Sequence, residues 1–236
     1  MSFFVQIFTN AFKLLLSDRT TYQILFRSIY VNGVATLLSA SLAIPFALLI
    51  DATRCRFKNI TIIVLQTFTG IPPVVVGLVI YLFLSRNGPL SDLDLLFTRT
   101  AMIIAQMFIA FPIIFTVSHS HFSKVDSRIR LVARTLGAND LQVTLKVFRE
   151  SIHGVITAIM TAFGRIVGEV GAVMLVGGNI QGRTRIMTTS IVLYTNMGEF
   201  ERAVALGIIL LIVAFIINFL ASYFSKIFMK VSEIRS

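Results

Sequence analysis

Charge is scarce in this sequence. Only 14% of its 236 residues are Asp, Glu, Lys or Arg, where a soluble domain carries about 25%. Hydrophobic residues make up 56%, and the mean hydropathy is +0.86. A water-soluble fold has nowhere to hide that much apolar surface, which points to an integral membrane protein. Cysteine is almost absent as well. Cys55 stands alone, so the chain can form neither an internal disulfide nor a cysteine-based metal site. The N-terminal MSFFVQIFTN has no basic segment and no small-residue cleavage site, so no cleaved signal peptide is expected. The three histidines, His119, His121 and His153, have no carboxylate or cysteine cluster beside them, so no metal site is expected. No Ser-His-Asp or Cys-His arrangement is discernible, so no catalytic residue is assigned and the chain is not expected to be an enzyme.

What is present is apolar sequence in long blocks. About twenty apolar residues cross a bilayer core. Four windows, 28–50, 59–85, 100–123 and 203–225, contain no Asp, Glu, Lys or Arg. A fifth, 151–182, contains only Arg165 and Glu169 as charges. Five spans are therefore expected, at about 28–50, 60–84, 101–120, 154–177 and 203–224, all helical because lipid offers the backbone no hydrogen-bond partner. The shorter apolar segment 3–16, with Lys13 inside it, reads as an interfacial helix. The whole chain, 1–236, is expected to form one transmembrane domain.

The net charge of +10 lies between the apolar runs, which suits a lipid bilayer rather than nucleic acid. Twelve basic residues fall on one side of the five spans, in 54–58, 124–149 and 226–235, and eight on the other. The richer side is expected to be cytoplasmic, which puts the N-terminus outside and the C-terminus inside.

Most connections are short, but the cytoplasmic stretch 121–153 is long and patterned. Ser123 followed by Asp126 resembles an N-cap with an acidic first turn. Ile129, Leu131, Val132 and Leu136 give one helix an apolar side, while Arg128, Arg130 and Arg134 give it a basic one. Gly137 suits a helix C-terminus, and Asn139 or Asp140 suits the cap of a second helix carrying Leu141, Leu145 and Phe148. A loop with its own helices reads as a docking surface for a cytoplasmic partner rather than a bare connector.

Within it, LVARTLGANDLQVTLKVFRESIHG resembles the cytoplasmic signature loop of ABC importer permeases, E-A-A, three residues, Gly, then nine residues on I-x-L-P. Ala133 and Gly137 match at the right spacing, and Val147 fits the isoleucine position. Leu131 replaces the glutamate, and Arg149 and Glu150 replace Leu-Pro. The next stretch, FGRIVGEVGAVMLVGGNI, resembles the corresponding span of the molybdate and tungstate permeases. TGIPPVVVGLVIYLFLSRNGPL (69–90) and TAMIIAQMFIAFPI (100–113) resemble the second and third core spans of tungstate permeases. That subfamily also has Arg-Glu in place of Leu-Pro. Together these cover most of residues 28–200.

The resemblance implies an all-α integral membrane protein with the type I ABC importer permease fold, five core spans plus the interfacial helix. It implies a homodimer in the inner membrane of a prokaryote, two cytoplasmic ATPase subunits that carry ATP and Mg, and an extracytoplasmic binding protein that delivers tungstate or molybdate. No cofactor is expected on this chain. The coupling loop to the ATPase would use Ala133, Gly137, Ala138, Asn139, Asp140, Leu141 and Val147. GGNIQGRT (177–184) mimics a nucleotide-binding loop, but Arg183 replaces the lysine and no strand precedes it. ATP hydrolysis would belong to a separate subunit. Asn179, Arg183 and Arg185 could instead meet the delivery protein.

Arg165 and Glu169 lie four residues apart in a span. One charge at mid-membrane costs about 2.5–3.5 kcal/mol, so an i, i+4 pair needs a reason to be there. Arg before Glu is the less favourable order for helix stability. One reading has the pair holding neighbouring spans in register. The other has Arg165 attracting an anion while Glu169 limits how tightly it binds. Pro72 and Pro73 break the second span, and Thr67 and Thr69 just before them are candidate lining residues of a gate. Pro45 and Pro112 are expected to bend the first and third spans. Two other classes, a secondary transporter or channel and a non-transporting membrane scaffold, predict different features. A scaffold would not need the Arg-Glu pair, the Pro-Pro break and the helical cytoplasmic loop together. Another oxyanion, such as molybdate or sulfate, would be carried by the same architecture. A secondary transporter would show inverted repeats or several intramembrane acids, and only Glu169 is present.

Overall fold

The computed structural model describes Thr9, Lys13 and residues 19–53 and 57–233. The expected interfacial helix 3–16 lies, apart from Thr9 and Lys13, outside the described residues. Every regular element among the described residues is helical.

Three helices are long and apolar enough to cross a membrane alone: α1 (Arg19–Ala52), α4 (Arg99–Ser123) and α10 (Phe200–Glu233). Helix α1, at 34 residues, extends about 50 Å and overruns the apolar window that located it. Pro45 and Pro112 lie inside helices that continue through them.

The two other expected spans are broken. The segment 60–84 forms α2 (Lys58–Thr69) and α3 (Pro73–Leu84), bent by 101°. Each half has 12 residues, or about 18 Å, too short to cross a bilayer core of about 30 Å alone. The break is local chemistry. Gly70 ends α2, Pro72 takes an extended conformation, and Pro73 starts α3, where its missing N–H costs nothing. The segment 154–177 was expected as one helix. It is α7 (Ile152–Val167) and α8 (Gly171–Gly177), bent by 63°.

Between α4 and α7 lie α5 (Ser127–Thr135) and α6 (Asp140–Glu150), the two expected helices of the long loop. Helix α9 (Met187–Asn196), after α8, was not foreseen.

Helix α4 is the centre, packed against α1, α7, α2 and α8. The reason is visible in which residues α1 buries: Ser28, Ala35, Ser39, Ala40, Ala43 and Ala47 form a face of small side chains. Lipid is as apolar as leucine, so helices associate through close van der Waals contact and buried hydrogen bonds, and small residues permit that approach. The large side chains of the same helix, Phe26, Leu37, Leu42 and Leu49, point outward. A smaller cluster of Ile24, Met187, Leu206 and Ile209 ties α9 and α10 to the start of α1.

Candidate functional site

The two breaks meet. A Cβ built on Gly77 of α3 would lie 2.6 Å from Ala172 Cα and 3.1 Å from Ala172 O, so α3 and α8 touch backbone to backbone. Gly171 lies against Val74, the residue after Pro73.

At this junction Arg165 and Glu169 pair, Nη1 to Oε2, at 3.1 Å. The geometry differs from an ordinary i, i+4 helix pair because α7 ends at Val167 and Glu169 stands in the break. Its other oxygen, Oε1, accepts the N–H of Val170 at 3.1 Å and of Gly171 at 2.8 Å. The carboxylate thus satisfies backbone donors at the start of α8, which otherwise lack partners. The Glu169 carbonyl accepts from Thr188 Oγ1 of α9 at 3.0 Å. The Glu169 side chain is 9% exposed and that of Arg165 46%. The glutamate is therefore the fixed member and the arginine the accessible one.

A second polar group sits beside it. Gln106, fully buried in α4, donates through Nε2 to Asn32 Oδ1 at 3.2 Å and to the Ile166 carbonyl at 3.0 Å. It cross-links α1, α4 and α7 one turn from Glu169. Sequence reasoning missed this pair because it tracked charges alone. An amide inside a charge-free apolar window was the available signal.

Of the other gate candidates, Thr67 and Thr69 are exposed, and their hydroxyls donate to Ile63 O at 2.9 Å and Gln66 O at 2.6 Å. Neither offers a free donor as it stands. Pro72 is exposed and Pro73 half-buried at the junction.

At one end of the bundle, α5 and α6 form a helical hairpin. The cap of α5 is Asp126, which accepts from Arg128 N at 2.9 Å. Ser123, expected there, ends α4 instead and donates to its own helix, because the chain needs Lys124 and Val125 to turn before a new helix can begin. Gly137 has φ +84°, a left-handed turn that glycine enters without strain. Asn139 and Gln142 form a reciprocal capping box at 2.9 Å each way, and Asp140 pairs with Arg134 at 3.0 Å. Leu136 and Leu141 are 82% and 77% exposed. An apolar groove of about 600 Å³ runs between the helices, lined by Val132, Ala133, Leu136, Ala138 and Leu145, with Arg128, Lys146 and Arg149 among its basic residues. Val147, expected on this surface, is turned into the core at 2% exposure, since it faces the bundle side of an amphipathic helix.

The hairpin is anchored by Asp51 at the end of α1. Its carboxylate, 6% exposed, pairs with Arg130 at 2.8 Å. Arg130 also donates to the Phe122 carbonyl at 2.8 Å, and Lys58 donates to the Asp51 carbonyl at 2.9 Å. Sequence reasoning passed over Asp51, an acid at the edge of the first span.

At the opposite end, GGNIQGRT folds back on itself, with Thr184 Oγ1 donating to the Gly177 carbonyl at 2.6 Å. Asn179 and Gly178 both have positive φ. This turn ends α8 and leads into α9.

Bent spans meeting around a charged pair, with a helical hairpin projecting from one end, suit a membrane permease. The sequence agrees with that class: residues 24–229 match the family described as binding-protein-dependent transport system inner membrane component, and the chain belongs to it. Among its relatives, it is 41% identical over 215 residues to the tungstate uptake system permease protein TupB of Peptoclostridium acidaminophilum, covering 91% of this chain and 94% of that one. It is 28% identical over 179 residues to the molybdenum transport system permease protein ModB of Azotobacter vinelandii, covering 72% and 79%. Its fold is similar to that of a bacterial ABC transporter involved in the import of the acidic polysaccharide alginate, with TM-score 0.73 at 18% identity, over 92% of this chain and 82% of that one.

Proposed function

We propose that this chain is the membrane subunit of an ATP-driven importer that moves tungstate or molybdate into the cytoplasm. The observation that carries this reading is the 41% identity, over nearly the full length of both chains, to a permease named for tungstate uptake. Two copies of the chain would enclose the pathway, since closed two-fold pairing is the commonest assembly and exposed apolar faces such as those of α2 and α3 need a cover in or beside lipid. The α5–α6 hairpin would dock a separate ATPase, which alone binds ATP and Mg. Its exposed Leu136 and Leu141, the Gly137 turn and the capped Asn139–Asp140 start of α6 give that partner an apolar, basic-rimmed surface. The richer basic end would face the cytoplasm, with the N-terminus outside. A binding protein would deliver the anion to the other end.

The junction of the two breaks suits the pathway. Arg165, accessible yet paired, presents positive charge to a dianion, while Glu169 tempers it. The alternative, in which the pair only holds the helices, is supported by the three hydrogen bonds to the Glu169 carboxylate. Both roles fit one pair, because the fixed carboxylate positions the accessible guanidinium.

The test is elemental analysis of cells with and without this chain, its ATPase present in both, grown in trace tungstate plus molybdate. Loss of cytoplasmic tungsten, molybdenum or both supports the reading. Unchanged levels of both metals refute it.

A further inference from the structure

Three arginines, Arg27, Arg99 and Arg185, lie at the end of the bundle away from the α5–α6 hairpin, and none has a carboxylate partner among the described residues. Arg27 of α1 donates to the Arg185 carbonyl at 2.6 Å. Arg99, the first residue of α4, donates to the Arg183 carbonyl at 3.0 Å. Arg185 donates to the Asn179 carbonyl at 3.5 Å. Burial disfavours the charge on Arg27, and the positive charges of Arg99 and Arg185 add to that cost. A guanidinium has five N–H donors. Among the described residues, Arg27 is 6% exposed yet makes this one hydrogen bond, and Arg185 Nε is buried with no partner. The ion pairs among the described residues leave all three arginines out. Unpaired buried charge is costly, and like charges held together cost more, so the arrangement lacks a counter-ion.

We propose that Arg27, Arg99 and Arg185 form a receiving site for a doubly charged tetrahedral oxyanion at the entrance of the pathway, one step before the Arg165–Glu169 junction. Planar guanidinium forks match such oxygens two at a time. The site is continuous with the junction. Three residues beyond Arg185, Thr188 bonds the Glu169 carbonyl, and that stretch of chain reaches at most about 11 Å. Between them the Met187 N–H donates to Ser28 Oγ at 2.7 Å, which fixes the loop against α1 beside Arg27. An anion released here meets charge that no carboxylate neutralises, then passes to Arg165, whose charge is tempered. The inference rests on the proposed cargo and orientation.

The test uses the assembled permease–ATPase complex in nanodiscs without the binding protein, and measures retention of radiolabelled tungstate by equilibrium dialysis. Arg27→Gln, Arg99→Gln and Arg185→Gln should each weaken retention about tenfold, the loss of one charge-assisted contact. Arg202→Gln is the control. Arg202 carries the same charge but is paired with Glu199 at 3.0 Å, and its loss should leave retention unchanged. Arg27→Lys should retain more than Arg27→Gln, and intact assembly with the ATPase separates lost binding from lost folding. Should Arg27→Gln fail to assemble, the more exposed Arg99 decides. Equal retention by the arginine variants and the wild type overturns the site, as does a wild type that retains no dianion. Unchanged retention, together with lost docking when the binding protein is added in a second measurement, would make the arginines a protein-docking surface instead. Arginine-dependent retention of sulfate by a transporter that imports neither metal would remove the cargo assignment and leave the site standing.

Discussion

Replacing Glu169 should cost far more than replacing Arg165, although they are two halves of one ion pair. The carboxylate is 9% exposed and accepts three hydrogen bonds, from Arg165 at 3.1 Å, Val170 N at 3.1 Å and Gly171 N at 2.8 Å. Glu169→Gln keeps the shape. Its amide oxygen can still cap α8, but its NH2 then faces the Arg165 guanidinium, donor against donor. Losing the charge-assisted contact and weakening two others costs about 2 kcal/mol. For a chain of this length that lowers the melting midpoint by about 4–8 °C. Glu169→Ala also leaves the Val170 and Gly171 N–H groups unsatisfied and should cost about 3–5 kcal/mol. Arg165 is 46% exposed with one bond, so Arg165→Gln should cost under about 1 kcal/mol while impairing transport. The assay is thermal unfolding of the detergent-solubilised complex beside ATP-driven uptake in proteoliposomes. If Arg165→Gln destabilises the protein more than Glu169→Gln does, the carboxylate is not the anchor of the junction and the reasoning fails.

Other contacts give further predictions. Gly77→Ala would drive a Cβ into the Ala172 backbone, so α3 and α8 must separate; a loss of about 1–3 kcal/mol is expected, read as a lower melting midpoint, and unchanged stability would contradict the close crossing. Asp51→Asn and Arg130→Gln should each destabilise the hairpin and lower the fraction of ATP hydrolysis coupled to uptake. A double-mutant cycle should show a coupling of about 1–3 kcal/mol, whereas additive effects would mean that the 2.8 Å pair does not hold α5. Gly137→Ala has open space around it but φ +84°, so its cost is backbone strain of about 1–2 kcal/mol; Gly137→Asn should be milder, and the two are compared by ATPase activity of the assembled complex.

Sequence read the fold well where a single local cause decides it. Charge-free windows located α1, α4 and α10, and Pro72–Pro73 marked the first break because proline removes helix donors wherever it stands. Gly137 and Asn139 declared the hairpin through turn and cap chemistry. The second break was hidden because no proline makes it. It depends on Glu169 turning to cap α8, on Thr188 holding its carbonyl from nineteen residues away, and on Val74 packing against Gly171. Helix α9 was missed for a similar reason. Its ten residues carry little periodicity, its buried Thr188 bonds the distant Glu169 carbonyl, and Thr189 and Ser190 bond back to Ile186 at its own start. Cap assignment slipped by one turn at Ser123, since α4 runs on until the chain must bend. Arg165 and Glu169 were visible as an anomaly, but their unequal burial was not, because i, i+4 spacing treats the two alike. The arginines at the far end were visible only as scattered charges, as Arg27, Arg99 and Arg185 come from three separate segments.

The most direct test of the central claim is uptake into proteoliposomes that contain this chain and its ATPase, with binding protein and tungstate outside and ATP inside. Tungstate should accumulate only when chain, ATP and binding protein are all present, and excess molybdate should compete. Accumulation of sulfate without tungstate, or tungstate uptake that persists when this chain is omitted, would contradict it.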